Sequence, residues 1–303
     1  MKVLRTPEER FADLESFPYQ PHYLEVGAGL RLHYLDEGPS DGPPVLLLHG
    51  EPSWSYLYRH MIPVLTAAGC RVVAPDFIGF GRSDKPAEVT DYSYGRHVSW
   101  MSDVLRTLEL GDVTLVCQDW GGLIGLRLVA DQPERFARVV AANTGLPTGN
   151  RPMPDVWQAF RQVVETVPTL DVGRMVDAGC VTSLSPEVRA AYDAPFPDES
   201  YKAGVRAFPG LIPQTPDDPA AEPNRRAWAV LGELDLPFLC AFSDRDPITA
   251  GADRPFRERL RGAQGQPHTT ITGAGHFVQE DQGAQLARVV VDFVGATPAR
   301  GQG

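Results

Sequence analysis

Three polar residues, far apart in the chain, each follow a short apolar run. Asp119 comes after Val113–Cys117, Asp246 after Phe238–Phe242 and His276 after Thr269–Thr272. Two carboxylates and an imidazole in that order can carry out nucleophilic displacement. One carboxylate attacks, the histidine acts as base, and the second carboxylate holds the imidazole tautomer and stabilises the imidazolium. A serine nucleophile would give an acyl-enzyme; a carboxylate suits attack on an sp³ carbon and gives an alkyl ester on the protein. Water deprotonated by His276 would then attack the ester carbonyl of Asp119.

The neighbours of each residue decide the assignment. Asp119 sits in Gln118-Asp119-Trp120-Gly121-Gly122. Taken alone, an aspartate after a strand reads as a helix N-cap. With two glycines to permit a sharp strand-to-helix turn, and with an acid and a histidine downstream, it reads as a nucleophile. His276 lies in Gly273-Ala274-Gly275-His276-Phe277, a glycine-rich approach that none of the other six histidines shares. His268 precedes its strand and belongs at the opposite end. Asp244 competes with Asp246 as the acid; we read Asp246 as the acid and Asp244 as a surface or capping residue. The loop His49-Gly50-Glu51-Pro52 follows another apolar run. A loop there, with the residue after the nucleophile, supplies oxyanion-binding N–H groups. We assign these to Glu51 and Trp120.

The elements that must position these groups are legible as alternation. Strands are expected at His22–Val26, Leu30–Leu35, Val45–Leu48, Arg71–Pro75, Val113–Cys117, Arg138–Ala142, Phe238–Phe242 and Thr269–Thr272. Helices are expected at Tyr56–Ala68, Tyr94–Leu108, Leu123 to about Ala130 and Gln279–Val294. Continuous apolar strands alternating with helices imply a mostly parallel sheet with helices on both faces. Active groups then gather at the carboxyl ends of the strands. Between about 147 and 225 the pattern changes: prolines are frequent, helices short and strands absent. We expect a core over residues 1–146 and 226–303, interrupted by a helical cap over 147–225.

Composition narrows the functions. The chain has 303 residues, an ordinary globular mix and a formal charge of −11. That balance, without a basic cluster, argues against nucleic-acid binding. No apolar run approaches membrane-spanning length. The opening Met1–Pro7 lacks the apolar core of a signal peptide, so a cytoplasmic protein is expected. The four cysteines, Cys70, Cys117, Cys180 and Cys240, form no metal-ligand spacing and read as reduced, mostly buried thiols. The tail Gly295–Gly303 reads as a frayed end.

Several stretches carry a family resemblance. His49–Arg59, Ala74–Pro86 (Ala-Pro-Asp-Phe-Ile-Gly-Phe-Gly-Arg-Ser-Asp-Lys-Pro), Gln118–Gly122, Tyr192–Asp198 and Gly275–Glu280 resemble the haloalkane dehalogenases, and the last two look like their first subfamily. The resemblance covers nearly the whole chain. It implies the α/β-hydrolase fold and hydrolysis of a carbon–halogen bond to an alcohol, a halide ion and a proton, through an alkyl-aspartate ester. It implies no cofactor and no metal, and a small halogenated aliphatic substrate. Separately, no nucleic-acid or membrane partner is expected from the composition, and a monomer or homodimer is expected. The resemblance also supports Asp246 as the acid, because the strand end that serves another subfamily carries Asn143 here.

A departing halide needs N–H donors in a dry pocket. An indole is a donor on a large apolar ring, so Trp120 is assigned to the halide. The family's second tryptophan comes from the cap. In the cap helix expected at Met153–Val164, Phe160 falls at that place, and Trp157 lies one turn earlier on the same face; Trp157 is taken as the second donor. Two alternatives remain at this level. One is an epoxide hydrolase, which needs cap tyrosines such as Tyr192 and Tyr201 as acids. The other is a non-catalytic binding protein of the same fold.

Overall fold

The computed structural model describes residues 1–297. Eight strands form one sheet: β1 (His22–Val26), β2 (Leu30–Glu37), β3 (Pro44–Leu48), β4 (Arg71–Pro75), β5 (Val113–Gln118), β6 (Phe136–Ala142), β7 (Phe238–Ser243) and β8 (Thr269–Ile271). Their order across the sheet is β8-β7-β6-β5-β3-β4-β2-β1. Strands β3 to β8 are mutually parallel, and β2 runs antiparallel to both β1 and β4. Every residue of β5 and β6 is buried, as a parallel strand covered on both faces requires. A separate antiparallel pair joins Val3–Leu4 to Lys85–Pro86.

Ten α-helices accompany the sheet among the described residues: α1 (Ile62–Ala67), α2 (Tyr94–Thr107), α3 (Trp120–Asp131), α4 (Asp155–Thr166), α5 (Val172–Ala178), α6 (Pro186–Asp193), α7 (Ala203–Leu211), α8 (Ala221–Glu233), α9 (Asp253–Arg259) and α10 (Val278–Ala296). The chain forms no strand between β6 and β7; that span holds α4 to α8.

Several expected boundaries shift. The helix expected over Tyr56–Ala68 breaks into a 3₁₀ turn at Ser55–Tyr58 and the short α1. Pro63 lacks an N–H and clashes with the preceding turn, so it is tolerated only at the start of a helix. The cap helix begins at Asp155 rather than Met153 because Pro152 and Pro154 hold the preceding backbone extended. Conversely, α3 starts three residues early, at Trp120, directly on the nucleophile candidate. The cap edge expected at 225 falls inside α8. Asn224 in that helix donates to Pro147 O and Trp228 donates to Leu146 O, tying α8 to the exit of β6. Of the frayed tail expected from Gly295, the first two residues close α10; residues 298–303 lie outside the described residues.

Cys70, Cys117 and Cys240 are buried, Cys180 is partly so, and none is paired in a disulfide. Among the described residues no helix is long and apolar enough to cross a membrane.

Candidate active site

Four strand exits supply the site. Asp119 follows β5 with φ 52° and ψ −125°, a left-handed backbone that is costly for a residue with a side chain. Close approaches hold it there. A side chain at Gly121 would lie 1.8 Å from Leu48 O, and one at Gly122 would lie 1.9 Å from Thr144 Oγ1. Asp119 N–H donates to Asn143 O at 3.0 Å, and Thr144 donates its hydroxyl to Asp119 O at 2.7 Å. The exit of β6 thereby buttresses that of β5.

The loop after β3 approaches from the other side. A Cβ on Gly50 would fall 2.4 Å from the Asp119 side chain. The next residue, Glu51, donates its N–H to Asp119 Oδ1 at 2.8 Å, and the Glu51–Pro52 peptide is cis. His49 fixes this loop. Its Nε2 accepts from Phe77 N–H at 3.0 Å, so the proton is on Nδ1, which donates to Gly50 O at 2.9 Å. Burial lowers the pKa of His49 and keeps it neutral.

His276 is brought to Asp119 and Asp246 together. Its Nδ1 lies 3.0 Å from Asp246 Oδ2, and its Nε2 lies 3.6 Å from Asp119 Oδ2. Asp246 is further held by Ile248 N–H at 2.9 Å and by the Thr249 hydroxyl. Burial acts against ionisation of Asp246, but His276 and these donors outweigh it and lower its pKa. Burial likewise acts against the imidazolium of His276; Asp246 and Asp119 reverse that and raise His276 to about 10. Asp244 takes the place expected of a capping residue, accepting from Gly273 N–H at 2.8 Å. His268 stands before β8, with its Nδ1 accepting from Cys240 N–H at 3.0 Å.

Four groups around Asp119, Asp246 and His276 were not singled out for these places from the sequence. Gln118 sets its amide nitrogen 3.1 Å from His276 Nε2 and donates to His276 O at 3.1 Å. Asn143, noted only as no carboxylate, donates to Gly275 O at 2.8 Å and to His276 O at 3.0 Å. Asp281, in the first turn of α10, accepts from Gly275, Val181 and Thr182 N–H. With the 2.7 Å bond from His276 N–H to Gly179 O, it joins the histidine loop to the cap. An acid in a first turn ordinarily signals only the helix dipole, so sequence offered no cue. The fourth is the side chain of Glu51. Burial first, and then Asp119, raise its pKa well above the usual range. Both influences favour the neutral form of the Glu51 carboxyl.

Trp120 is buried, packed between Tyr94 and Phe208, and its Nε1–H has no partner. An unpaired buried N–H costs about 1–3 kcal/mol, which an anion in the adjoining cavity would recover. That cavity, of about 370 Å³, runs from Asp119, Trp120 and His276 to Val156, Trp157, Phe160, Met175 and Ile212 of the cap. Trp157 and Phe160 both reach it. The tyrosines required by an epoxide-opening acid do not line it. Tyr192 is buried elsewhere with its hydroxyl on Glu280, which also pairs with Arg59, and Tyr201 lines no wall of this cavity.

Residues 43–282 match the family model described as alpha/beta hydrolase fold. The chain is 58% identical to a haloalkane dehalogenase of Psychrobacter cryohalolentis, over 98% of this chain and 100% of that one. It is 55% identical to a haloalkane dehalogenase of Mycolicibacterium paratuberculosis, over 97% and 98%. The chain belongs to the haloalkane dehalogenases. It is a hydrolase that acts on carbon–halogen bonds. Among solved structures, the tetrameric haloalkane dehalogenase DpaA of Paraglaciecola agarilytica superposes with a TM-score of 0.89 at 40% identity, over 95% of this chain and 97% of that one.

Proposed function

We propose that Asp119 is the nucleophile, His276 the base and Asp246 the acid that orients it. The observation that carries this is the convergence of three strand exits, with His276 hydrogen-bonded to Asp246 and 3.6 Å from Asp119, beside the unpartnered Trp120 Nε1. An Asp119 oxygen attacks the halogen-bearing carbon; the C–O bond forms as the C–X bond breaks, and its electron pair leaves on the halide. Trp120 Nε1–H donates to that halide, and Trp157 is assigned as the second donor. The apolar walls exclude competing water, which strengthens both interactions.

Esterification removes the charge of Asp119, one of the influences that raise the pKa of His276. The imidazole can then take a proton from water at Nε2 while Nδ1–H stays on Asp246. The hydroxide adds to the Asp119 carbonyl carbon. Its oxyanion faces the N–H groups of Glu51 and Trp120. Collapse expels the alkoxide, which takes a proton from the imidazolium. One proton remains and leaves with the halide, so haloalkane and water give alcohol, halide and proton. No step calls for a metal or cofactor.

The cap over 147–225 is taken to close the cavity, and a cytoplasmic location is supported by the four free thiols. The assembly is proposed to be a monomer or homodimer; light scattering at working concentration tests this against the tetramer described for DpaA. For the chemistry, the test is bromide and proton release from 1,2-dibromoethane. Stoichiometric release by the wild type, lost in Asp119→Asn and reduced in Trp120→Phe, is the expected result; unimpaired release by Asp119→Asn would overturn it.

A further inference from the structure

A second cavity, here called the second lobe, adjoins the first and is not used by the chemistry above. About 360 Å³ in volume, it shares Asp119, Trp157, Ile212 and Ile248 with the first and extends away from His276, past Leu146, Met153 and Trp228. Asp119 therefore lines both. Only the first contains His276, where the hydrolytic water must bind; only the second offers apolar depth that leaves that position free.

The second lobe shares Leu146, Pro147, Arg151, Met153, Trp228, Gly251 and Pro255 with an outer vestibule of about 820 Å³. Four charged residues face that vestibule. Arg254 is paired with Glu258 at 2.6 Å. Arg151 and Arg259 have no carboxylate within ion-pair distance among the described residues, and the Arg259 guanidinium lies 4.6 Å over the Trp228 ring. In a chain of net charge −11, two uncompensated arginines at the end of an apolar channel form a local positive field. A guanidinium presents a planar fork of donors suited to a carboxylate, and stacking on Trp228 orders one of them in advance.

We propose that the second lobe and its vestibule bind elongated haloalkanes whose far end carries a carboxylate. The halogen end sits at Trp120, the methylene chain runs past Trp157 and Trp228, and the carboxylate meets Arg151 and Arg259. This rests on the dehalogenase reading of Asp119 and deepens it by naming a substrate class.

The test compares kcat/KM for terminally brominated hexanoate, octanoate and decanoate with that for the bromoalkane of equal length. The readout is the ratio of acid to alkane, which general damage to folding or chemistry leaves in place. In the wild type the ratio should rise with chain length. In Arg151→Gln/Arg259→Gln it should fall about tenfold, it should return in large part in Arg151→Lys/Arg259→Lys, and it should erode with added salt. Arg245, on the first lobe, is the control, and Arg245→Gln should leave the ratio in place. A ratio indifferent to the paired variant, or one that follows Arg245, would overturn the proposal. Equal slowing of both substrates with delayed halide release would also overturn it and assign the arginines to the departing halide. Failure of the wild type to turn over even the bromoalkanes would overturn the dehalogenase reading, and this inference with it.

Discussion

The two walls of the cavity are built by opposite means. On the sheet side, every functional group is fixed from several directions. Asp246 is held by His276, Ile248 and Thr249, and Asp119 by the exits of β3 and β6. On the cap side, Val156, Phe160, Met175 and Ile212 line the cavity with apolar surface from short helices, and Val156 and Val163 of α4 remain partly exposed. The first wall has one working arrangement because Asp119, Asp246 and His276 are held by hydrogen bonds from neighbouring strand exits, with the Trp120 Nε1–H left unpaired; the second is defined mainly by shape. Chemistry should therefore fail sharply when the sheet side is altered, and substrate preference should drift when the cap is altered.

The sharpest break of that contrast is Asp119→Asn. Loss of the proposed nucleophile should lower turnover by about 10⁴-fold or more, with folding retained by circular dichroism. Trp120→Phe keeps the packing against Phe208 but removes the donor. It should lower the rate of the alkylation step by about 10²–10³-fold, read by rapid-quench bromide release. If the two variants were equally mild, the sheet side would not be the chemical wall. Trp157→Phe separates the walls at their junction: a change in fluorescence quenching by bromide supports Trp157 as the second donor, and unchanged quenching removes it.

The pH dependence sharpens the contrast within the triad. His276 must be neutral to act as base, and its pKa is raised to about 10 by Asp246 and Asp119 against burial. With Asp119 esterified, the pKa falls below that value. Single-turnover ester hydrolysis should rise with pH through this lowered pKa, while alkylation stays flat. Asp246→Asn removes the other charge and should move the rising limb to lower pH. The smallest effect belongs to the cap: Phe160→Ala should change kcat/KM between short and long bromoalkanes by about 10–200-fold at most, leaving the hydrolytic rate of the formed ester in place.

The same division governs what was legible in the sequence. Strand exits announce themselves by an apolar run followed by glycine, aspartate or histidine, so Asp119, Asp246 and His276 could be read, and so could the parallel sheet that unites them. The break at Pro63 and the early start of α3 at Trp120 depend on local backbone restriction and on packing that periodicity does not report. Asp281 and Asn143 act by reaching backbone groups distant in sequence, and no spacing encodes that. The raised pKa of Glu51 comes from burial and from Asp119, a property of the assembled site. The second lobe needs α8 to continue past 225 and seat Trp228 on Leu146, which the composition of the cap segment did not disclose.

In the proposed mechanism the bond to halogen is exchanged for an ester on Asp119, which only His276 can release. Intact mass of His276→Phe after incubation with 1,2-dibromoethane tests this most directly. The account predicts a persistent gain matching one bromoethyl group, absent when Asp119→Asn is added. An unmodified His276→Phe that still releases bromide through many turnovers would contradict it.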